Sequence, residues 1–254
     1  GKAITSEMRI NKTTDGDQVR SDVMALDSGG FLVTWQSDDG SGTGIFSQVW
    51  DPITGLNRLE IKGDDKANKL SQPYAALIDG GAGADTMEGG SGSTTYVVDN
   101  VGDVVIEKAN GGSDEIRSSI TYTLLDNIES LTLTGNEAIS GAGNALANTL
   151  VGNEAANSLT GFAGDDVIQS GGGDDTIDAG EGNDIIDGGS GTNTLVLSGT
   201  RADYNIPSAI NSSATGIVIR TVGEGVKDGN DTISNIQKIV FLGETDPAFK
   251  TLVL

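Results

Sequence analysis

The sequence predicts an all-β protein in which very short parallel strands stack as a β-helix behind a small antiparallel β domain. Three observations predict it. Apolar residues recur at every ninth position between glycine-rich turns over residues 148–195. Strand-like runs separated by turn residues fill the first 78 residues. Glycine is abundant, 38 in 254 residues, about twice the roughly 7% of ordinary chains.

Residues 1–78 hold both tryptophans and ordinary glycine content. Gly30–Gln36 and Gly44–Trp50 read as two strands of a hairpin, joined by the turn-rich run Ser37–Gly42. A faint repeat of about 51 residues also shows, with Ile10, Ala25, Leu26, Gly29 and Gly30 matched by Ile61, Ala76, Leu77, Gly80 and Gly81. Trp35, Phe46, Trp50 and Tyr74 could stack on sugar rings or form the core of this domain.

From Asp79 the texture changes. Leu150, Leu159, Ile168, Ile177, Ile186 and Leu195 stand nine residues apart, and two positions before each comes Asn148, Asn157, Asp166, Asp175, Asp184 and Asn193. An isolated copy, Gly80–Glu88, has the full Gly-Gly-x-Gly-x-Asp-x-apolar-x form. Nine fits poorly with the apolar stripe of a helix, and each apolar stretch spans only about three residues, so the unit is a turn plus a very short strand. Two units then make one coil, with Leu150, Ile168 and Ile186 in one inward column and Leu159, Ile177 and Leu195 in the facing one. The expected domains are 1–78, 79–140 (first repeat unit and β spacer), 141–197 (repeat array) and 198–254 (C-terminal β cap).

Composition excludes much. The chain has no histidine and no cysteine, so a His base, a Cys nucleophile, a His/Cys zinc site and a disulfide all drop out. A net charge of −22 repels nucleic-acid phosphates and anionic lipid, and no apolar run is long enough for a membrane span. The glycine strings open no amphipathic helix, which argues against a nucleotide loop. Hard cations are the natural ligands. Stacked coils bring successive aspartates about 4.8 Å apart, and an ion between coils turns that repulsion into coordination. Calcium takes six to eight oxygens in flexible geometry, which carboxylates and the carbonyls of tight glycine turns provide; magnesium fits less well.

At these residues the sequence resembles the RTX (repeats-in-toxin) family of secreted bacterial proteins. The resemblance covers roughly 79–100 and 141–197. Tyr96–Asp99 and Asn144–Leu150 are similar to spacers of that family, and Asp228–Ile236 is similar to its closing segments. Residues 1–78 resemble, more weakly, the tandem β repeats found beside such arrays in large surface proteins. The resemblance implies a right-handed parallel β-roll loaded with Ca2+. Carried over by position, the carboxylate ligands are Asp85, Asp166, Asp175 and Asp184. The carbonyl donors are Gly81, Gly83, Gly164, Gly171, Gly173, Gly180, Gly182, Gly189 and Gly191. Asn148, Asn157 and Asn193 depart from the pattern, as does Thr94 in the unit after Asp85; asparagine offers a neutral oxygen, so those sites should be weaker or empty, and Asn157 and Asn193 are kept in the ligand set. The best site by pairing lies between Asp166 and Asp184. Asp165 and Asp174 read as solvated acids, and Asp231 as either a ligand or a turn residue.

The functional expectation is a non-catalytic calcium-binding module of a secreted or surface bacterial protein. It would fold on calcium outside the cell and serve a structural or adhesive role, with cell-surface or matrix polysaccharide as a possible partner. The alternative is the non-catalytic C-terminal part of a secreted polysaccharide-acting or other hydrolytic enzyme. The apolar Ala248–Leu254 is similar to signals read by type I exporters, which makes such an exporter an expected partner during secretion.

Overall fold

The computed structural model describes residues 17–25, 31–38, 43–50, 57–71, 75–109, 111–207, 216–222, 225–248 and 250–254. The chain forms two compact units, 1–112 and 113–254.

In the first unit, β1 (Asp17–Ala25), β2 (Phe31–Asp38), β3 (Thr43–Trp50) and β4 (Asn57–Lys62) form an antiparallel meander. The expected hairpin is β2–β3, with Trp35 opposite Phe46; most of its turn, and Ile10, Leu26, Gly29 and Gly30 of the 51-residue repeat, lie outside the described residues. Parallel pairing then begins. β6 (Ala75–Asp79) runs between β4 and β8 (Thr95–Val98), and β5 (Lys69–Ser71), β7 (Thr86–Glu88) and β9 (Val104–Ile106) form a second parallel row. Each short strand buries its central apolar residue: Leu70, Met87 and Val105 in one row, Ile61, Ile78 and Tyr96 in the other.

The second unit is a parallel β-solenoid. One row contains β10 (Glu115–Ser118), β12 (Ser130–Leu133), β14 (Thr149–Val151), β16 (Val167–Gln169), β18 (Ile185–Asp187) and β22 (Asn230–Ser234). The other contains β11 (Tyr122–Thr123), β13 (Ser140–Ala142), β15 (Ser158–Thr160), β17 (Thr176–Asp178), β19 (Thr194–Leu197) and β23 (Lys238–Phe241). Leu150, Ile168 and Ile186 stack in register in the first row, and Leu159, Ile177 and Leu195 in the second, all within 1% exposure. The two columns expected from the ninefold spacing are therefore those of the fold. Gly141 takes the position between Tyr122 and Leu159 in the second row. A methyl there would come within 3.0 Å of Leu131 and 3.1 Å of Leu159, so these leucines already fill the space.

Antiparallel strands end the stack. β20 (Tyr204–Asn205) and β21 (Ile217–Thr221) add to β22, and β24 (Thr251–Val253) adds to β23. The cap is tied down by Asp228, which accepts from the Ser198 N–H (2.9 Å), the Ser198 hydroxyl (2.5 Å) and the Tyr204 hydroxyl (2.5 Å). The single helical element among the described residues is a turn of 3-10 helix, Arg201–Asp203. No helix among them is long and apolar enough to cross a membrane.

Candidate metal centre

In the repeat units of residues 148–195 each turn ends on an Asn or Asp just before a strand, and these side chains form ladders between coils. In the first row of the second unit, the Asn148 N–H donates to Asp166 Oδ1 (2.7 Å), the Asp166 N–H to Asp184 Oδ1 (2.8 Å), and the Asp184 N–H to Asp231 Oδ1 (3.1 Å). The facing row repeats the pattern through Asn157, Asp175, Asn193 and Gln237, with the Asn157 N–H on Asp175 Oδ1 (2.8 Å) and the Asp175 N–H on Asn193 Oδ1 (3.0 Å). In the first unit Asn68 donates to Asp85 Oδ1 (2.7 Å), and Asp85 donates to Asp103 Oδ1 (3.0 Å).

One oxygen of each aspartate is thus satisfied. The other is not: Oδ2 of Asp85, Asp166, Asp175 and Asp184 is buried and has no hydrogen-bond donor. These residues are at most 1% exposed. A buried carboxylate oxygen without a donor is costly unless a cation meets it. Asparagine at the same position behaves differently. Asn148 and Asn157 each accept a backbone N–H four residues back (2.7 and 2.8 Å). Their amides donate to the carbonyls of Ile128 and Ile139. Asn193 donates to Gly188 and Asn235. The Asn rungs close on themselves, whereas the Asp rungs leave an oxygen for an ion.

Electrostatics point the same way. Burial pushes the Asp166 carboxyl up to about 7; the Asn148 N–H opposes this, and the charges of Asp184 and Asp165 add to it. Burial likewise carries Asp85 to about 6 and Asp184 to about 6, and raises Asp175. With no cation beside them these groups hold protons well above the ordinary carboxylate range.

The turns supply the remaining donors. Gly182 has φ 146°, and a Cβ there would stand 2.0 Å from the Gly164 carbonyl oxygen; Gly189 (φ 65°) stands in the same relation to Gly171, at 1.9 Å. Only glycine lets one turn lie this close on the carbonyls of the turn before it. Gly81, Gly164, Gly171, Gly173, Gly180 and Gly191 also turn through positive φ. Gly83 does not, but a Cβ there would meet the Lys66 carbonyl at 2.0 Å. At Gly161 a methyl would collide with both Asp166 Oδ2 and the Ala179 carbonyl, each 2.2 Å away, so two oxygens crowd one point. No group of three or more acidic side chains converges among the described residues; an ion here would be held by one or two carboxylates completed by backbone carbonyls. That donor set, all oxygen and flexible, suits calcium.

The structure brings Asp166 and Asp184 into one ladder and places Asp175 in the facing one. Asp165 and Asp174 stay outside and accept from the exposed turns above them, Asn183 N–H (2.8 Å) and Thr192 N–H (2.7 Å). Asn68, Asp103, Asp231 and Gln237 complete the ladders. Asp103 lies 18 residues after Asp85, the length of one two-unit coil, and that spacing alone would have found it. A separate cleft of about 380 Å³ near Thr160, Phe162, Asp178 and Asp228 offers no comparable site, because both Asp228 oxygens already accept hydrogen bonds.

The fold and its ladders define a cation-binding parallel β-roll. The chain carries RTX calcium-binding nonapeptide repeats: the family profile matches in four copies, over residues 77–96, 142–177 and 160–195. These repeats bind calcium, form a structural rather than catalytic module, and are typical of secreted bacterial proteins. Among solved structures the chain is similar to the extracellular lipase LipA from Serratia marcescens, at 17% identity and a TM-score of 0.26, over 57% of this chain. The match spans only 21% of that lipase. No curated protein matches the chain.

Proposed function

We propose that the chain is the calcium-binding module of a secreted or cell-surface bacterial protein, that it takes its fold outside the cell, and that it serves a structural or adhesive role there. The observation that carries this reading is the set of four buried carboxylate oxygens, on Asp85, Asp166, Asp175 and Asp184, that lack a donor. The residues that would hold the ions are these aspartates with the turn carbonyls beside them; a bound ion would supply charge neutralisation between coils. Sites of extracellular type bind at about 10⁻⁴–10⁻³ M. At a Kd of about 10⁻⁴ M, roughly 2 mM calcium would add about 1.8 kcal/mol per site, whereas submicromolar calcium would leave the sites empty. Passage through a type I exporter, unfolded, and contact with surface polysaccharide belong to the same proposal. The lack of cysteine accords with a chain that does not depend on oxidation to fold.

Isothermal calorimetry tests it. Calcium should bind at submillimolar to millimolar concentration and magnesium far more weakly, and Asp166→Ala with Asp184→Ala should remove sites. No calcium binding by the wild-type chain at about 10 mM, a tenfold excess over the weakest such sites, would overturn the reading.

A further inference from the structure

The nonapeptide match ends at residue 195, yet the first ladder does not end at Asp184. The Asp184 N–H donates to Asp231 Oδ1 across 47 residues of sequence, in the manner in which the Asp166 N–H donates to Asp184. The local sequence explains the likeness. Gly229-Asn230-Asp231-Thr232-Ile233 repeats Gly182-Asn183-Asp184-Ile185-Ile186 in all but one position. Three contacts of the regular rung recur here. Ile233 pairs in register with Ile186. The Asn230 N–H donates to Asn183 Oδ1 as the Asn183 N–H donates to Asp165 Oδ1. Gly229 turns through φ 77°, and a Cβ there would stand 1.8 Å from the Gly182 carbonyl oxygen, the same stacking that Gly182 makes on Gly164. Lys227 pairs with Glu181 (2.9 Å) at the outer edge of the same two turns.

We propose that Asp231 is a calcium ligand and that the ion array runs one rung past the nonapeptide repeats, with a site held by Asp184, Asp231 and carbonyls of the turns that precede them. Two observations point to a ligand. Asp184 is 1% exposed and its Oδ2 has no donor. Asp231, whose Oδ1 takes the Asp184 N–H at 3.1 Å, is itself only 2% exposed. Two buried acids on successive rungs, one with an unmet oxygen, need a shared proton or a shared cation. Asp103, which closes the ladder of the first unit, makes the contrast: its Oδ1 accepts from Asp85 and its Oδ2 from Asp99 and Asn100. Asp103 is a hydrogen-bonding end, and Asp231 is a ligating one. The consequence is a device for the fold, because calcium at this rung pins a strand that returns from a long excursion and couples the cap to the array.

The inference rests on the calcium reading of the array, and the test separates the two. Bound calcium per chain is counted by native mass spectrometry for the wild type, Asp231→Asn and the exposed control Asp126→Asn. Asparagine keeps an acceptor for the Asp184 N–H while removing the charge. The expected result is one ion fewer in Asp231→Asn and an unchanged count in Asp126→Asn. An equal count in the wild type and Asp231→Asn overturns this inference alone, while a wild type that binds no calcium overturns the array reading with it. Anomalous diffraction from wild-type crystals grown in calcium decides the matter if the variant does not fold: density between Asp184 and Asp231 supports the site, and density on the Asp166–Asp184 rung with none at Asp231 contradicts it.

Discussion

A carboxylate oxygen shut away from water and from every donor is among the least favourable groups a fold can hold, and this one holds such an oxygen on each of Asp85, Asp166, Asp175 and Asp184 in a chain of net charge −22. Their neighbours show the cheaper alternative, since Asn148 and Asn157 satisfy the same position with amide hydrogen bonds. Asp166→Asn should therefore lower calcium affinity by at least about tenfold, near 1.4 kcal/mol, while leaving the ion-free protein as stable as before or more so. Calorimetry and the β content in chelator, read by circular dichroism, measure the two effects; an affinity equal to wild type would count against Asp166 as a ligand. The same burial sets a pH dependence. Asp166 sits at about 7 in the folded chain against an ordinary 3.8. A raised carboxyl contributes stability to the ion-free fold below about pH 4 and loses it as pH rises through 7. With chelator present, the residual β content read by circular dichroism should be higher at pH 5 than at pH 8. With calcium the direction reverses, because protons compete for the ligands and affinity falls as pH drops below about 7. A chelated chain with less β content at pH 5 than at pH 8 would contradict the burial argument.

At the level of strands and turns, three-residue strands carry little pairing of their own, and the turn geometry decides whether coils can stack. Gly182→Ala would place a methyl 2.0 Å from the Gly164 carbonyl at a φ of 146°. It should destabilise the calcium-bound protein by more than about 1 kcal/mol, read as a lower melting temperature in calcium. Ile168→Ala empties a fully buried position and should cost about 2–5 kcal/mol. These elements were legible in the sequence because the ninefold spacing fixes both the inward residue and the turn. Asp85, Asp166, Asp175 and Asp184 were legible for the same reason, as each falls two positions before an inward apolar residue. Asn68 and Asp103 were harder to see, since the turns around them lack the glycine pattern and only the coil length relates them to Asp85. Asp231 was ambiguous for a topological reason: its rung is separated from Asp184 by the excursion through β20 and β21, which no local spacing can bridge. The self-satisfied role of the asparagines was also out of reach, because it depends on which backbone groups each amide meets.

Across the whole molecule the balance of forces is unusual. The core of the repeat array is two columns of single aliphatic side chains, and 38 glycines make the unfolded chain costly to order. Acidic groups buried along the ladders add repulsion rather than stability until cations arrive. The four ion pairs among the described residues lie at the surface and contribute little. The protein is accordingly expected to be a folding switch whose input is the calcium concentration of its surroundings. A calcium titration of the complete chain followed by far-ultraviolet circular dichroism tests this most directly. Wild type should pass from a disordered to a β spectrum between micromolar and millimolar calcium, and the chain carrying Asp166→Ala and Asp184→Ala should need far more. The same β content in chelator as in millimolar calcium would contradict the account.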